Sequence, residues 1–205
     1  MIKNISILGA GGHAKVIIES ALLNGFSIDS LYDDTIKVNS YLGLYQIKGP
    51  IDENLTGNSI IAIGDNKIRK NICSHCYRIN WVTVTHPSAI ISIDVRIGDG
   101  TVIMAGVVLQ SGTKIGKHCI INTKASIDHD CIIDDFVHIS PSVTLCGNIV
   151  VGEGTHVGAA ATIIPNIKIG KWCVIGAGAV ITKDVPDHSL VVGVPGKIIK
   201  SLENE

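Results

Sequence analysis

From Ile91 to Ile181 every sixth residue is aliphatic. The series opens Ile91, Ile97, Ile103, Leu109 and closes Ile163, Ile169, Ile175, Ile181, with no exception between. Two positions before each aliphatic residue runs a second series of mostly small side chains, such as Val95, Thr101, Val107, Cys119, Ala125, Cys131, Ala161, Cys173 and Ala179. Glycine often follows the aliphatic residue, as at Gly98, Gly116, Gly152, Gly158, Gly170 and Gly176. A period of six suits neither an α-helix nor plain strand alternation. It predicts a parallel β-helix in which three short strands and three turns make one coil of about eighteen residues. Aliphatic and small side chains then stack inward, coil on coil, and glycine permits tight corners. The stretch supplies about five coils by this spacing. The period does not fix the helical hand.

The chain before this repeat reads differently. Ile2, Ile5, Ile7 and Leu8 predict a strand, Gly9-Ala10-Gly11-Gly12-His13 a turn, and Ala14 to Leu23 a helix with Val16, Ile17, Ser20 and Leu23 near one face. Strand, glycine turn and helix begin a Rossmann-like unit, in which the helix N-terminus favours a phosphate or another anion. Gly9 and Gly11 fit the first two positions of G-x-G-x-x-G, and Ala14 takes the third; a structural tight turn is the rival reading. Phe26 to Leu31 predicts a second strand ending in Tyr32-Asp33-Asp34, about 20 residues past the glycines, where an acidic residue meets a ribose in dinucleotide enzymes. The unit is too short for both halves of a dinucleotide fold, so one nucleotide of a sugar nucleotide fits better.

Tyr41 to Leu55 reads as irregular. Ser59 to Ile63 is a buried strand stopped by Gly64-Asp65-Asn66. Lys67 to Tyr77 is a helix whose Lys67, Arg69 and Lys70 read as a solvated face, and Trp81 to Thr85 is a strand. Pro87 stiffens the junction after His86, read as a satisfied junction histidine. Two domains are expected, 1–83 Rossmann-like α/β and 84–205 β-helical, the latter ending in a short cap with a closing helix over Ile198 to Leu202.

Composition narrows the function. Of 205 residues, 46% are hydrophobic and only 4% aromatic, so branched aliphatics must fill the core. A net charge of -1, with no basic stripe, argues against nucleic acid or an anionic membrane as partner. Met1 to Ala10 is too broken by glycine for a secretory leader, and no apolar run approaches about 20 residues, so no membrane insertion and a cytoplasmic location are expected. Cys119, Cys131 and Cys173 fall on the small inward position and read as buried hydrophobes. Cys73 and Cys76 form a lone C-x-x-C without the second pair of a structural zinc site.

Polar chemistry collects between Asn122 and Cys146, where the glycine after the aliphatic residue is missing: Asn122, Lys124, Asp128, His129, Asp130, Asp134, Asp135 and His138. Asp128-His129-Asp130 suits a general base, because a neighbouring carboxylate orients the imidazole and stabilises its cation. A solvated polar turn and a metal site are the rival readings; no metal is expected. His138 lies nine residues on, half a coil around the prism, and points to a site completed by a neighbouring subunit.

The hexapeptide coil resembles the left-handed β-helix acyltransferases, which use acetyl-CoA and work as trimers. Together with Gly9-Ala10-Gly11-Gly12-His13, Asp33-Asp34, His129 and the terminal Val191-Val192-Gly193-Val194-Pro195-Gly196-Lys197, the chain is similar to the sialic acid O-acetyltransferase and bacterial UDP-4-amino-sugar N-acetyltransferase group. The resemblance covers nearly the whole chain. It implies His129 as base, Asp130 as its orienting carboxylate in place of the usual glutamate, and His138 as a second active-site histidine near the acetyl thioester. It places a sugar contact at Asn122, the nucleotide-sugar phosphate at Gly11, Gly12 and His13, and the base near Asp33 and Asp34. It places the coenzyme at His138, Gly147, Ala159, Ala177 and Lys197. The expected reaction is direct acetyl transfer from acetyl-CoA to a nucleotide-linked amino sugar, a UDP-4-amino sugar first, in glycan biosynthesis by a homotrimer. The alternatives are O-acetylation of a sialic acid, an inactive binding or scaffold protein, and a metal-dependent carbonic anhydrase-like enzyme.

Overall fold

A computed structural model describes residues 3–35 and 40–203; Ile2, assigned above to the first strand, lies outside them. The chain opens with β1 (Lys3–Leu8), α1 (Gly12–Leu23) and β2 (Phe26–Tyr32). There follow β3 (Ser40–Tyr41), β4 (Tyr45–Gly49), β5 (Gly57–Ile61), α2 (Asn66–His75) and β6 (Ile79–Trp81). These strands form one sheet in the order β3-β4-β2-β1-β5-β6, parallel except for the β3–β4 hairpin. That hairpin corrects the irregular reading of 41–55: Leu42-Gly43-Leu44 makes its turn, with Leu42 and Gly43 in the left-handed region. The α1 face is corrected as well. Ala14, Ile17, Ile18 and Ala21 are buried, whereas Val16 and Leu23 are 40% and 56% exposed. Alanines at the contact bring the helix close to the sheet, so the buried stripe runs one residue out of phase with the bulkier aliphatics.

Gly9 sits at φ +108°, and a Cβ there would lie 2.6 Å from Ile63 Cγ1 and 3.0 Å from the Ala62 carbonyl. The end of β1 can pass the end of β5 only with glycine there. Gly11 and Gly12 have nothing within 4 Å of a built Cβ; they border open space at the ligand-binding edge of the sheet.

Trp81 to Thr85 is not one strand. β6 ends the first sheet, and Val84–Thr85 starts the β-helix, pairing with Val102–Ile103. From there the six-residue period produces what it predicts, with parallel pairings eighteen residues apart, as in Val102↔Ile120 and Ile115↔Ile133, until the last coil, where Val174 pairs with Leu190 and the spacing shortens by two. The first face carries Val84, Val102, Ile120, His138, His156, Val174 and Leu190 in its column of outward positions. The second face carries Ile90, Val108, Ser126, Thr144, Thr162 and Val180. The third carries Arg96, Lys114, Ile132, Val150 and Lys168.

Inward aliphatics from Ile103 to Ile181 are buried in one continuous core with the N-terminal sheet, each contributing about 1.5–3 kcal/mol by burial. Buried Thr101 and Thr155 satisfy themselves on the corners: each hydroxyl donates to a glycine carbonyl (Gly116, 2.8 Å; Gly170, 2.7 Å) and accepts a cysteine N–H (Cys119, Cys173). Corner residues such as His118, Lys124, Asp130, Phe136 and Trp172 take φ between 53° and 60°.

The expected closing helix is absent. Lys197–Ser201 is a strand antiparallel to Ser189–Val192. The last coil leaves a row of free backbone groups on the first face, and β-branched Ile198 and Ile199 suit a strand that pairs with them. None of the helices described is long and apolar enough to cross a membrane.

Candidate active site

His129 stands in the turn between the second and third faces, after Ser126–Ile127. Its backbone N–H donates to Asp128 Oδ1 at 2.8 Å, and its Nδ1 lies 2.9 Å from Asp130 Oδ2. Asp130, at φ 59°, turns the chain so that a carboxylate adjacent in sequence reaches the ring. The hydrogen bond that His129 donates to Asp130, then the charge of Asp128, raises the His129 pKa above the ordinary 6.5. Nε2 lies free of that bond, against Gly147: a Cβ on Gly147 would come within 2.6 Å of it. Glycine at 147 therefore makes room for the base. The side chains of His129 and Asp130 are 60% and 67% exposed, so a single chain leaves the pair open to water.

A second group forms where the N-terminal domain rests on the first face. His138 stacks on His156, one coil further, with ring centroids 4.7 Å apart and planes 8° from parallel. His13, from the glycine turn, lies 6.4 Å from His138, centroid to centroid. Asn122 Oδ1 accepts the Thr123 N–H at 2.8 Å, which turns its Nδ2 toward His138 Nε2 at 3.3 Å. Nε2 is therefore the acceptor, and the neutral ring carries its proton on Nδ1. Burial, then the charges of His156, Arg69 and His13, pushes the His138 pKa down to about 3. The Gly64 backbone opposes that shift, although Nδ1 is buried without a hydrogen bond of good geometry. His13 is held at about 4, by burial first and Arg69 second. His156 is lowered by burial and hydrogen-bonded to Ser140 Oγ at 2.8 Å. This row is neutral at physiological pH, whereas the His129 pKa is shifted the opposite way, upward.

Asp33 and Asp34 are engaged by the protein. Asp33 Oδ2 accepts the Ala10 N–H at 2.7 Å, fixing the glycine turn, and its Oδ1 accepts from Thr35. Asp34 Oδ1 accepts the Ile51 N–H. Tyr41 donates to the Gly11 carbonyl at 2.6 Å. Asn122, Ala159 and Ala177 lie along the edge between the first and second faces, with Ala159 and Ala177 exposed one coil apart. Lys197 is exposed in the terminal hairpin. The structure thus brings His13, Asn122 and His138 together but leaves His129 and Gly147 on another edge of the prism.

Among the described residues no cluster of three or more His, Cys, Asp and Glu side chains is placed to hold a metal ion, and Cys73 and Cys76 are free thiols. The sequence offers His156 only as a histidine for the carbonic anhydrase-like alternative and does not pair it with Ser140, although His156 stands eighteen residues past His138, the spacing that puts two side chains in one column. Arg69 is corrected outright: it is 1% exposed, not part of a solvated face. Its side chain reaches backbone carbonyls of both domains, which a hydrophobic period cannot reveal.

Comparison with known proteins places these features in context. Residues 4–76 match the family described as PglD N-terminal domain, and residues 94–129 and 148–183 match the bacterial transferase hexapeptide (six repeats). UDP-N-acetylbacillosamine N-acetyltransferase of Bacillus subtilis (strain 168) is 40% identical over 117 residues, 50% of this chain and 52% of that protein. GDP-perosamine N-acetyltransferase of Escherichia coli O157:H7 is 31% identical over 92 residues, 44% of this chain and 42% of that protein. The match spans about half the length of these curated relatives. Perosamine N-acetyltransferase from Caulobacter crescentus, solved with CoA and GDP-perosamine as a histidine-to-asparagine variant, superposes with a TM-score of 0.91 at 35% identity, covering 98% of this chain and 99% of that one. The acetyltransferase domain of PglB from Neisseria gonorrhoeae gives 0.91 at 34% identity, covering 96% and 100%.

Proposed function

Because the chain belongs to the hexapeptide-repeat nucleotide-sugar N-acetyltransferase family, we propose that it transfers the acetyl group of acetyl-CoA to the amine of a nucleotide-linked amino sugar. The observation that carries this reading is the His129–Asp130 pair, exposed at a β-helix corner with Gly147 clearing space at Nε2. Asp130 accepts the Nδ1 proton, so Nε2 holds the lone pair and takes a proton from the attacking amine. The amine nitrogen bonds to the thioester carbonyl carbon, the C–S bond breaks, and the imidazolium returns its proton to the departing thiolate. A backbone N–H or His138 stabilises the developing oxyanion. Among the described residues the His129 ring is hydrogen-bonded to Asp130 and to no serine or cysteine, which favours direct transfer without an acyl-enzyme.

The sugar nucleotide occupies the edge of Gly11, Gly12 and His13, with Asp33 and Asp34 at its base and Asn122 near the sugar. The coenzyme runs along His138, Ala159, Ala177 and Lys197. These residues and the His129–Gly147 corner lie on different edges, so the site closes only between copies of the chain. The second face joins those edges and presents small Ser126, Thr144 and Thr162 outward, a flat surface suited to packing about a threefold axis. A homotrimer with three sites is expected, and sedimentation equilibrium giving an active monomer overturns it.

The amine acceptor is a UDP-linked 4-amino deoxysugar first, and a GDP- or dTDP-linked one second. An acetyl-CoA consumption assay across amino-sugar nucleotides and sialic acids, with product masses, decides it. Transfer only to a sialic acid hydroxyl overturns N-acetylation. The pH dependence tests the base separately. His129 must be neutral to accept a proton, and its raised pKa places the acid limb of kcat/KM above 6.5. Activity is present above that pH and lost as pH falls through it. Asp130→Asn removes the main cause of the shift, so its acid limb moves to lower pH than that of the parent enzyme; an unmoved limb assigns the titration to another group.

A further inference from the structure

We propose that Arg69, with Asn66, is a positioning residue that sets the sugar-nucleotide edge of the N-terminal domain over the coil carrying His138; this rests on the acetyl-transfer reading above. At one corner of the β-helix, His118, Phe136 and Gly154 recur eighteen residues apart, all at positive φ. Their carbonyls point at α2 and are taken in succession. Arg69 Nε donates to the His118 carbonyl at 3.1 Å and Nη2 to the Phe136 carbonyl at 2.9 Å; Asn66 Nδ2 donates to the Gly154 carbonyl at 2.9 Å. The same guanidinium turns Nη1 back to the carbonyls of Ile63 (3.3 Å) and Gly64 (2.9 Å), the turn where β5 meets α2.

One side chain therefore holds two things in register. Gly64 is at the ligand edge of the sheet and lies against His138; Phe136 is two residues before His138 on its own coil. Arg69 is 1% exposed and Asn66 9%. Burial lowers the Arg69 pKa only to about 10, so the group stays charged at neutral pH. A planar guanidinium can serve four carbonyls at fixed angles, which a lysine ammonium cannot. The geometry leaves both ligand surfaces to other residues: the glycine turn keeps its own Asp33 and Tyr41 bonds, and the coenzyme edge lies at the opposite corner.

The test uses the full-length protein as Arg69→Lys, Arg69→Met and Asn66→Ala. CoA and the nucleotide diphosphate of the best acceptor are titrated calorimetrically, and turnover is measured with both substrates saturating. Arg69→Lys is expected to bind both ligands at wild-type stoichiometry and within a few-fold of wild-type affinity, with kcat lowered on the order of 100-fold, as a misplacement of about 1 Å costs. Asn66→Ala is expected to lose several-fold in kcat in the same pattern. Wild-type kcat in Arg69→Lys and Asn66→Ala overturns the proposal. So does a loss of turnover matched by a loss of binding stoichiometry in all three variants, since that assigns Arg69 to folding. A wild-type protein inactive on the whole acceptor panel defeats the acetyl-transfer reading instead. In that case amide exchange of Gly64 to Arg69 still decides the clamp, unchanged exchange in Asn66→Ala and Arg69→Lys overturning it.

Discussion

His129→Ala is expected to lower kcat by about 100-fold or more at saturating substrates, the usual contribution of a positioned general base. Affinity for either substrate should change little. The ring makes its hydrogen bond to Asp130 and lies 60% exposed at a corner, so its removal opens no cavity and takes no contact from the core. Circular dichroism and sedimentation of the variant should match the parent protein. Asp130→Asn should cost less, because the imidazole remains and loses only the carboxylate that orients it. The two variants together separate a base from a polar surface turn: a solvated turn would leave turnover near wild type in both. Near wild-type turnover in His129→Ala overturns the assignment even if acetyl transfer is observed.

Gly152→Ala should be strongly damaging to the β-helix. Its Cβ would lie 2.6 Å from the Gly170 carbonyl carbon and 2.7 Å from the Lys171 nitrogen. Both are backbone atoms of the next coil whose groups are already bonded, the Gly170 carbonyl accepting from the Thr155 hydroxyl and the Lys171 N–H donating to Asp187 Oδ1, and they cannot swing aside. The expected loss is about 3 kcal/mol, at the upper end of ordinary overpacking. Gly178→Ala is the control. Gly178 sits at φ +68° with nothing within 4 Å of a Cβ, so its cost is conformational alone, about 1 kcal/mol. Urea midpoints at equal protein concentration compare them. If Gly152→Ala is no worse than Gly178→Ala, close stacking of the corner backbones is not the reason glycine recurs there.

The contrast between these two glycines bears on what a sequence can reveal. A β-helix coil is nearly one-dimensional: each residue's neighbours stand eighteen positions away, so periodicity and contact are the same information. Strands, inward series and corners are therefore all legible from Ile91 to Ile181. His129 and Asp130 were legible because the pair is local, the two residues being adjacent, and a charge beside an imidazole is chemistry that needs no fold. The glycine turn was legible as a turn. Its division of labour was not, since Gly9 is needed for its approach to Ile63 while Gly11 and Gly12 border open space.

Three features were decided only in three dimensions. The buried stripe of α2 runs through Asn66, Arg69 and Ile72, two of them polar, because the face it covers is a column of backbone carbonyls. A hydrophobic period has no means of reporting that. The closing segment 197–201 has a sequence open to helix or strand, and the unpaired edge of the last coil settled it as strand. The meeting of His13 with His138 and Asn122 joins residues more than 100 positions apart through the docking of one domain on another. By itself the sequence determined whatever repeats or lies side by side along the chain: the prism, its core and the His129–Asp130 pair. Tertiary structure decided which buried polar groups face one another across the domain boundary, because those partners are chosen by backbone geometry and distance in space rather than by spacing in the chain.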